Sequence, residues 1–255
     1  MAAVRGGASC GRLKAFRVRD STMVDLSAEM AELWTSLGTP MPGRARVIQL
    51  VSARQGEGTS TVARELAAYA ACGAGRSVWL VDADVMASPQ HANIRHGARR
   101  FGDLGEAVAA SPDGSTFFSV RPTLKAADGK LYPDAAYLAA HRVGKARWWV
   151  TRFRREALRA GQKVQILPRP EYWDALRRHA DLVIVDTPAA DRSRAATTLA
   201  PFMDQTLLVV AADQPDVKAP ARLRDALEAE GGEVAGLFFN RGVVQPPKFL
   251  RGLIG

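Results

Sequence analysis

Apolar residues in this chain gather into short continuous runs. They are "RVIQLVSA" at 46–53, "SVWLVDAD" at 77–84, "KVQILP" at 163–168, "DLVIVDTP" at 181–188, "QTLLVVAA" at 205–212 and "VAGLFFNR" at 234–241. Each has the length of a strand. Continuous rather than alternating apolar character marks strands buried on both faces of a parallel sheet. Between the runs the spacing turns helical. In "STVARELAAYAACGAG", Val62, Leu66, Tyr69 and Ala70 share one face and Gly73 stops the helix. Upstream, "MVDLSAEMAELWTSLG" at 23–38 carries Met30, Leu33, Trp34 and Leu37 as a stripe, with Asp25 or Ser27 placed to cap it; "TPMPG" then breaks the helix. Strands alternating with helices predict an α/β fold, a doubly wound and mainly parallel sheet with helices on both faces.

The segment 111–162 fits that alternation least well. "GKARWWVTRFRREALRAGQK" is expected to be a helix with Trp149, Val150, Phe153 and Ala157 on one side. From Arg142 to Lys163 there are eight basic residues against one acid, Glu156. Such a helix could meet a lipid surface or a docking partner, or pack its tryptophans on the sheet with its arginines in water. The expected organisation is a basic arm at 1–22, one domain at 23–242 with 111–162 as a variable basic segment, and a tail at 243–255.

Composition narrows the class. Hydrophobic residues make up 47% of the 255, enough for a large core, yet no run approaches the roughly 18–20 apolar residues of a membrane span. The first twenty residues are basic but lack an apolar stretch, so no secretory signal is read and a cytoplasmic location is expected. Cys10 and Cys72 lie far apart without metal-ligand spacing, and no disulfide is expected between them. His91, His96, His141 and His179 show no ligand spacing either. The formal charge of +9 suits an anionic partner, but nothing beyond charge points to nucleic acid, which is not expected.

The candidate chemistry begins at "VSARQGEGTSTVA", 51–63. A glycine-rich turn between a buried strand and a helix is a phosphate-binding arrangement. Gly56 and Gly58 let backbone N–H groups approach an anion, the helix N-terminus adds its dipole, and Ser60 is placed to hold Mg²⁺. In the common pattern a lysine precedes that serine; here the residue is Thr59. A tight strand–helix turn that binds nothing is the alternative. "VWLVDAD" sets Asp82 and Asp84 at one strand end, and "LVIVDTP" sets Asp186 at another. A carboxylate there can hold Mg²⁺, and a second can orient an attacking hydroxyl.

These motifs resemble the cytoplasmic P-loop domain of bacterial tyrosine kinases of capsule and exopolysaccharide systems, which group with the MinD and ParA ATPases. The resemblance spans roughly 25–242. "SARQGEGTST" matches the family's S-A-x-P-G-E-G-K-S-T, "WLVDADVM" its D-x-D-x-R, "VIVDTPA" its D-T-P-P, and "GLFFN" its closing G-x-V-x-N. It implies ATP or ADP with Mg²⁺ as ligand. The nucleotide would meet Arg54, Gly56, Glu57, Gly58, Thr59, Ser60 and Thr61, with Asn240 near the base. Ser60, Asp82 and Asp186 would serve the metal, and Asp82 and Asp84 any catalysis. It further implies a membrane polysaccharide co-polymerase as partner, recruitment to the inner membrane face, membrane-surface contact and a homodimer.

The departures are equally specific. Thr59 replaces the lysine, Met86 the arginine and Ala189 the second proline. The family's upstream E-x-x-R-x-x-R aligns with Glu32, Thr35 and Gly38. Its C-terminal tyrosine cluster has no counterpart, since the tyrosines here are Tyr69, Tyr132, Tyr137 and Tyr172. The expectation is nucleotide binding with weak or lost kinase chemistry. Two alternatives remain open. One is a dimeric MinD/ParA-like ATPase in which Arg54, standing where relatives carry a second lysine, acts across the dimer. The other is a kinase acting in trans on its membrane partner.

Overall fold

The computed structural model describes residues 26–38, 43–125, 129–213 and 216–242. The expected arm at 1–22, Asp25, Cys10 and the tail at 243–255 lie outside the described residues. In chain order the strands are β1 (Arg46–Val51), β2 (Val78–Asp82), β3 (Leu104–Ala109), β4 (Phe118–Arg121), β5 (Leu138–Val143), β6 (Trp148–Phe153), β7 (Lys163–Ile166), β8 (Leu182–Asp186), β9 (Gln205–Ala211) and β10 (Val234–Asn240). The helices are α1 (Ser27–Ser36), α2 (Thr59–Ala71), α3 (Pro89–His96), α4 (Ala98–Phe101), α5 (Glu171–His179), α6 (Ala195–Leu199) and α7 (Lys218–Ala229).

Eight strands form one sheet in the order β10-β9-β1-β8-β2-β6-β5-β3. The first six run parallel, while β5 is antiparallel to both β6 and β3. The expected α/β class, mainly parallel with helices packed on the sheet, is what the chain adopts. The central strands are apolar on both sides because both sides are covered. Ile48, Leu50, Leu80 and Ile184 face α1 and α2, in a cluster with Met30, Val62 and Leu66. Val47, Val81, Val183 and Val185 face the other way, onto Trp173 and Leu176 of α5. Val51 and Leu208 pack with Ala196 of α6 and Leu223 of α7.

The connections set the position of the site. The path β1–α2–β2 passes over β8, and β8–α6–β9 passes over β1. The loop leaving β1 therefore emerges between the ends of β8 and β9, at a topological switch point where α/β sheets place ligands.

Three local expectations need correction. The stretch read as a helix from Gly144 onward is β6 followed by a short 3-10 turn at Arg155–Ala157. Trp148 and Val150 face the α1–α2 side; Trp149 and Phe153 face the other. That is the two-residue period of a strand, and the aromatic and β-branched content of "WWVTRF" favours it. Second, "KVQILP" does not join the parallel sheet. It forms β7, antiparallel to β4 in a separate two-stranded sheet. That small sheet sits over an aromatic layer of Phe117, Phe118, Tyr137, Phe153, Tyr172 and Trp173. Third, α1 starts at Ser27 with Leu26 at the cap position, so Ser27 lies inside the helix; Asp25, the other cap candidate, lies outside the described residues. The C-terminal end of α1 is held instead by the Arg46 guanidinium, which donates to Leu37 O and, at 3.1 Å, to Gly38 O.

An ion pair built on the buried Arg177 holds the base of the sheet. Arg177 on α5 is 7% exposed and donates to Asp204 Oδ1 (3.0 Å), Asp174 Oδ1 (3.1 Å) and Phe202 O (2.7 Å). Asp204 Oδ2 also accepts the Val47 N–H at 2.7 Å, tying the pair to β1.

Candidate phosphate-binding site

The loop from Ala53 to Gly58 turns sharply between β1 and α2. Gly56 and Gly58 have φ of 89° and 93°, a region that L side chains rarely enter, so glycine is required at both. Gly58 is the residue before α2. Its carbonyl accepts the N–H groups of Thr61 and Val62, both at 3.0 Å. The N–H groups of Thr59 and Ser60 open the helix without a carbonyl partner in the preceding turn, as helix starts do. Glu57 is buried and braces the loop from within: Oε2 accepts the Arg54 N–H at 2.8 Å and Oε1 the Ala211 N–H of β9 at 3.3 Å. Asn240 Nδ2, at the end of β10, donates to Glu57 O at 2.9 Å.

Neighbouring segments hold the loop from outside. Asp191 Oδ2 accepts the Gln55 N–H at 3.1 Å, and the Arg241 guanidinium donates to Gly56 O. Arg54, half exposed, pairs with Asp216 of the same chain. The segment after β8 runs against the loop, with Ala190 N–H on Ser52 O (2.9 Å) and Asp191 N–H on Ala53 O (3.2 Å). An open cleft of about 550 Å³ between α6 and α7 begins at Ala53 and Asp191.

Asp82 and Asp186 end the paired strands β2 and β8 directly opposite one another. They are 0% and 1% exposed. Burial pushes the Asp82 carboxyl well above the usual carboxylate range, and the facing Asp186 adds to this. Burial also raises Asp186, to about 6. The hydrogen bond from the Gln90 amide, the nearby Ser60 hydroxyl and the charge of Arg64 hold it from going higher. Asp84 lies at the rim, where Arg192 reaches Asp84 Oδ2 at 3.1 Å. Met86, in the position of the resembled family's arginine, is 49% exposed.

Two polar atoms here are buried without a hydrogen-bond partner: Asp186 Oδ1 and Thr59 Oγ1. An unpartnered carboxylate oxygen next to a serine hydroxyl is a donor set for a hard cation. Ser60 and Asp186 thus fit Mg²⁺, the N–H groups at the start of α2 fit a phosphate, and Asp82, the third expected metal residue, stands behind them with both oxygens already accepting backbone N–H groups. Among the described residues no group of three or more acidic, histidine or cysteine side chains stands ready for a metal, so any cation here would need further oxygen from ligand or water.

No family model and no curated protein matches the chain. Solved structures do. A chimeric protein, CapA2B2, superposes with a TM-score of 0.57 at 18% identity, covering 88% of each chain. The kinase domain of the Escherichia coli tyrosine kinase ETK gives 0.53 at 19%, over 87% of this chain and 79% of that one. The kinase domain of VpsO gives 0.53 at 17%, over 85% and 95%. The fold is that of bacterial tyrosine kinase domains.

Within this kinase-domain fold, the expected loop residues Arg54, Gly56, Glu57, Gly58, Thr59, Ser60 and Thr61 lie on one turn, with Asn240 against it. Asp82 and Asp186 come together beside Ser60, while Asp84 points instead to Arg192. Sequence reasoning missed Gln90, Arg64, Asp191 and Arg241. Gln90 is fully buried between the two carboxylates: its N–H donates to Asp82 Oδ2 at 2.9 Å and its Nε2 to Asp186 Oδ2 at 2.6 Å. No motif marks a glutamine at a helix start as a site residue; only the placement of α3 does. His91, which follows it, packs against His141 of β5 with ring centroids 4.6 Å apart and the rings tilted by 58°.

Proposed function

We propose that this chain is a nucleotide-responsive P-loop protein with weak or lost tyrosine-kinase chemistry, acting at a membrane co-polymerase in exopolysaccharide or capsule synthesis and export. The observation that carries the nucleotide part is the unpartnered Asp186 Oδ1 beside Ser60, at the mouth of a turn whose glycines both hold positive φ. Backbone N–H groups of the loop would receive phosphate, and Ser60 with Asp186 would receive Mg²⁺, whose charge would neutralise phosphate oxygens. Asp82, held by the N–H groups of Asp84 and Gln90, orients the metal side of the site. The partner and the membrane-face location rest on the sequence resemblance. In keeping with recruitment rather than insertion, no helix of the described residues is long and apolar enough to cross a membrane.

The kinase part is weak for two reasons. Thr59 lacks the reach and charge to stabilise negative charge developing on a transferred phosphoryl group. Tyr137 and Tyr172 are 1% and 0% exposed, so neither can serve as an acceptor in the folded chain, which leaves only the partly exposed Tyr69 and Tyr132.

Calorimetry with Mg·ATP and Mg·ADP tests the binding, and labelled ATP with phosphotyrosine detection tests the chemistry. Weak binding without autophosphorylation is expected. Thr59→Lys should tighten ATP by about 1.5–3 kcal/mol, the range for a hydrogen bond to a charged group. No heat at millimolar nucleotide would reduce the loop to a structural turn, and phosphotyrosine on the isolated protein would overturn the reading. Loss of both binding and dimerisation in Arg54→Ala would favour the ATPase alternative.

A further inference from the structure

Gln90 uses every donor its side chain and N–H supply, and its Oε1 accepts a further bond. Nε2 donates to Asp186 Oδ2 (2.6 Å) and to Ser60 O (2.8 Å), Oε1 accepts from Arg64 Nη1 (3.1 Å), and the backbone N–H donates to Asp82 Oδ2 (2.9 Å). One neutral residue thereby joins both strand-end carboxylates and the first turn of α2. Asp82 is then satisfied at both oxygens, since Asp84 N–H takes Oδ1 at 3.1 Å. Asp186 keeps one oxygen unpartnered.

An amide satisfies the hydrogen-bonding capacity of a buried carboxylate but does not neutralise its charge. A divalent cation does both, and one seated on the free Asp186 Oδ1 brings its positive charge against the Gln90 amide donor on the other oxygen of the same carboxylate. The turn joining Gln90 to Asp82 is also under tension. Ser88 has φ 42° directly before Pro89, a left-handed conformation unusual for a side chain other than glycine, and it is held by Ser88 N–H on Asp84 O (2.6 Å) and Phe153 N–H on Ser88 Oγ (3.3 Å). Helix α3 packs onto the sheet through the buried Ile94 and the His91–His141 contact. It is thus anchored to the acidic pair at one end only, through Gln90.

We propose that the Gln90 side-chain amide is an internal stand-in for the cation at this centre, that metal entry displaces it from Asp186, and that α3 moves with it to report occupancy of the site. This rests on the metal-and-nucleotide reading above and adds to it the residue that opposes binding and the element that signals it.

The test uses the full chain, Mg²⁺ as ligand and Mn²⁺ as its paramagnetic substitute. In ¹⁵N-labelled wild-type protein, Mg²⁺ should shift the Gln90 side-chain amide signals and speed amide exchange across 89–96. In Gln90→Ala, Mn²⁺ should bind about tenfold tighter or more, the factor one charge-assisted hydrogen bond represents. Gln90→Glu, of equal size, guards against misfolding of the alanine variant: its melting temperature should fall in chelator and recover in Mn²⁺ by more than wild type gains. If wild type binds metal while Gln90→Ala binds equally or more weakly, Gln90 is a ligand or a strut and the inference is wrong, with the metal reading intact. If metal leaves exchange in α3 unchanged, the signalling role is wrong. If no variant binds metal, both readings fall together.

Discussion

Gly58→Ala probes the loop at its tightest point. A Cβ at Gly58 would stand 2.0 Å from Asn240 Nδ2, and the residue's φ is 93°. Two separable costs follow. Holding alanine in a left-handed conformation costs about 1–2 kcal/mol whatever the surroundings. The clash is with the end of a side chain, so Asn240 would swing away and give up its bond to Glu57 O and the Arg241 N–H on its Oδ1. Two such bonds at about 0.5–1.5 kcal/mol each make a further 1–3 kcal/mol. Gly58→Ala should therefore lose about 2–5 kcal/mol in urea denaturation. Asn240→Ala alone should lose only the bond part, about 1–3 kcal/mol. In the double variant the clash has no partner, so the bond part is lost once rather than twice. The double should be more stable than the two singles imply by about 1–3 kcal/mol. Additivity within about 0.5 kcal/mol would mean that Asn240 does not hold the loop, and the reasoning would fail.

Asp204→Ala leaves Arg177 buried with one partner fewer and strips the Val47 N–H of its acceptor; a loss of about 3 kcal/mol is expected by denaturation, and under 1 kcal/mol would refute it. Asp186→Asn removes a buried carboxyl whose folded value, about 6, lies above its unfolded one. A raised carboxyl loses stability as pH climbs from its unfolded value, and the loss is complete above about 6, so in chelator the variant should gain up to about 3 kcal/mol at pH 8 and little below pH 4, and Mg²⁺ should no longer raise its melting temperature. His91 is lowered to about 4, by burial first and then by His141, Arg152 and Arg95, with Glu156 opposing. The unfolded chain therefore binds the proton first, and the stability His91 lends above pH 6.5 should drain away as pH falls towards 4. The difference between wild type and His91→Gln should shrink over that window, and a difference flat with pH would contradict it.

The central strands were legible because each is an apolar run bounded by a chemistry-bearing residue. "LVIVD" and "VWLVD" announce both a buried strand and the acid at its end. The loop was legible because glycine at 56 and 58 meets a backbone requirement that shows in sequence. Residues 148–153 were misread because aromatic and valine residues at adjacent positions satisfy a helical face and a two-sided strand alike. What separates the two is the partner: Trp148 and Val150 pack toward α2, Trp149 and Phe153 toward the aromatic layer. Gln90 was invisible for a different reason. Its role depends on where α3 starts relative to β2 and β8, and a tertiary placement of that kind leaves no local pattern.

The substitution at 59 and the presence of Gln90 bear on the same electrostatic problem. Two carboxylates buried side by side need a positive charge, a proton or strong donors. A lysine in the loop would supply charge from one side, and Thr59 does not. In its absence the nearby positive charge that eases Asp186 is Arg64, itself partly desolvated and spread between Gln90 Oε1 and Ser60 O. Gln90 supplies the donors. The centre is thereby made tolerable by hydrogen bonds rather than by charge, which leaves the acids high in pKa and one oxygen of Asp186 without a partner. Such a centre gains more from a divalent cation than one already neutralised by lysine. On the proposed reading, the departure that would weaken phosphate transfer at the loop would also strengthen the demand for a cation behind it, and would direct the response to that cation into α3.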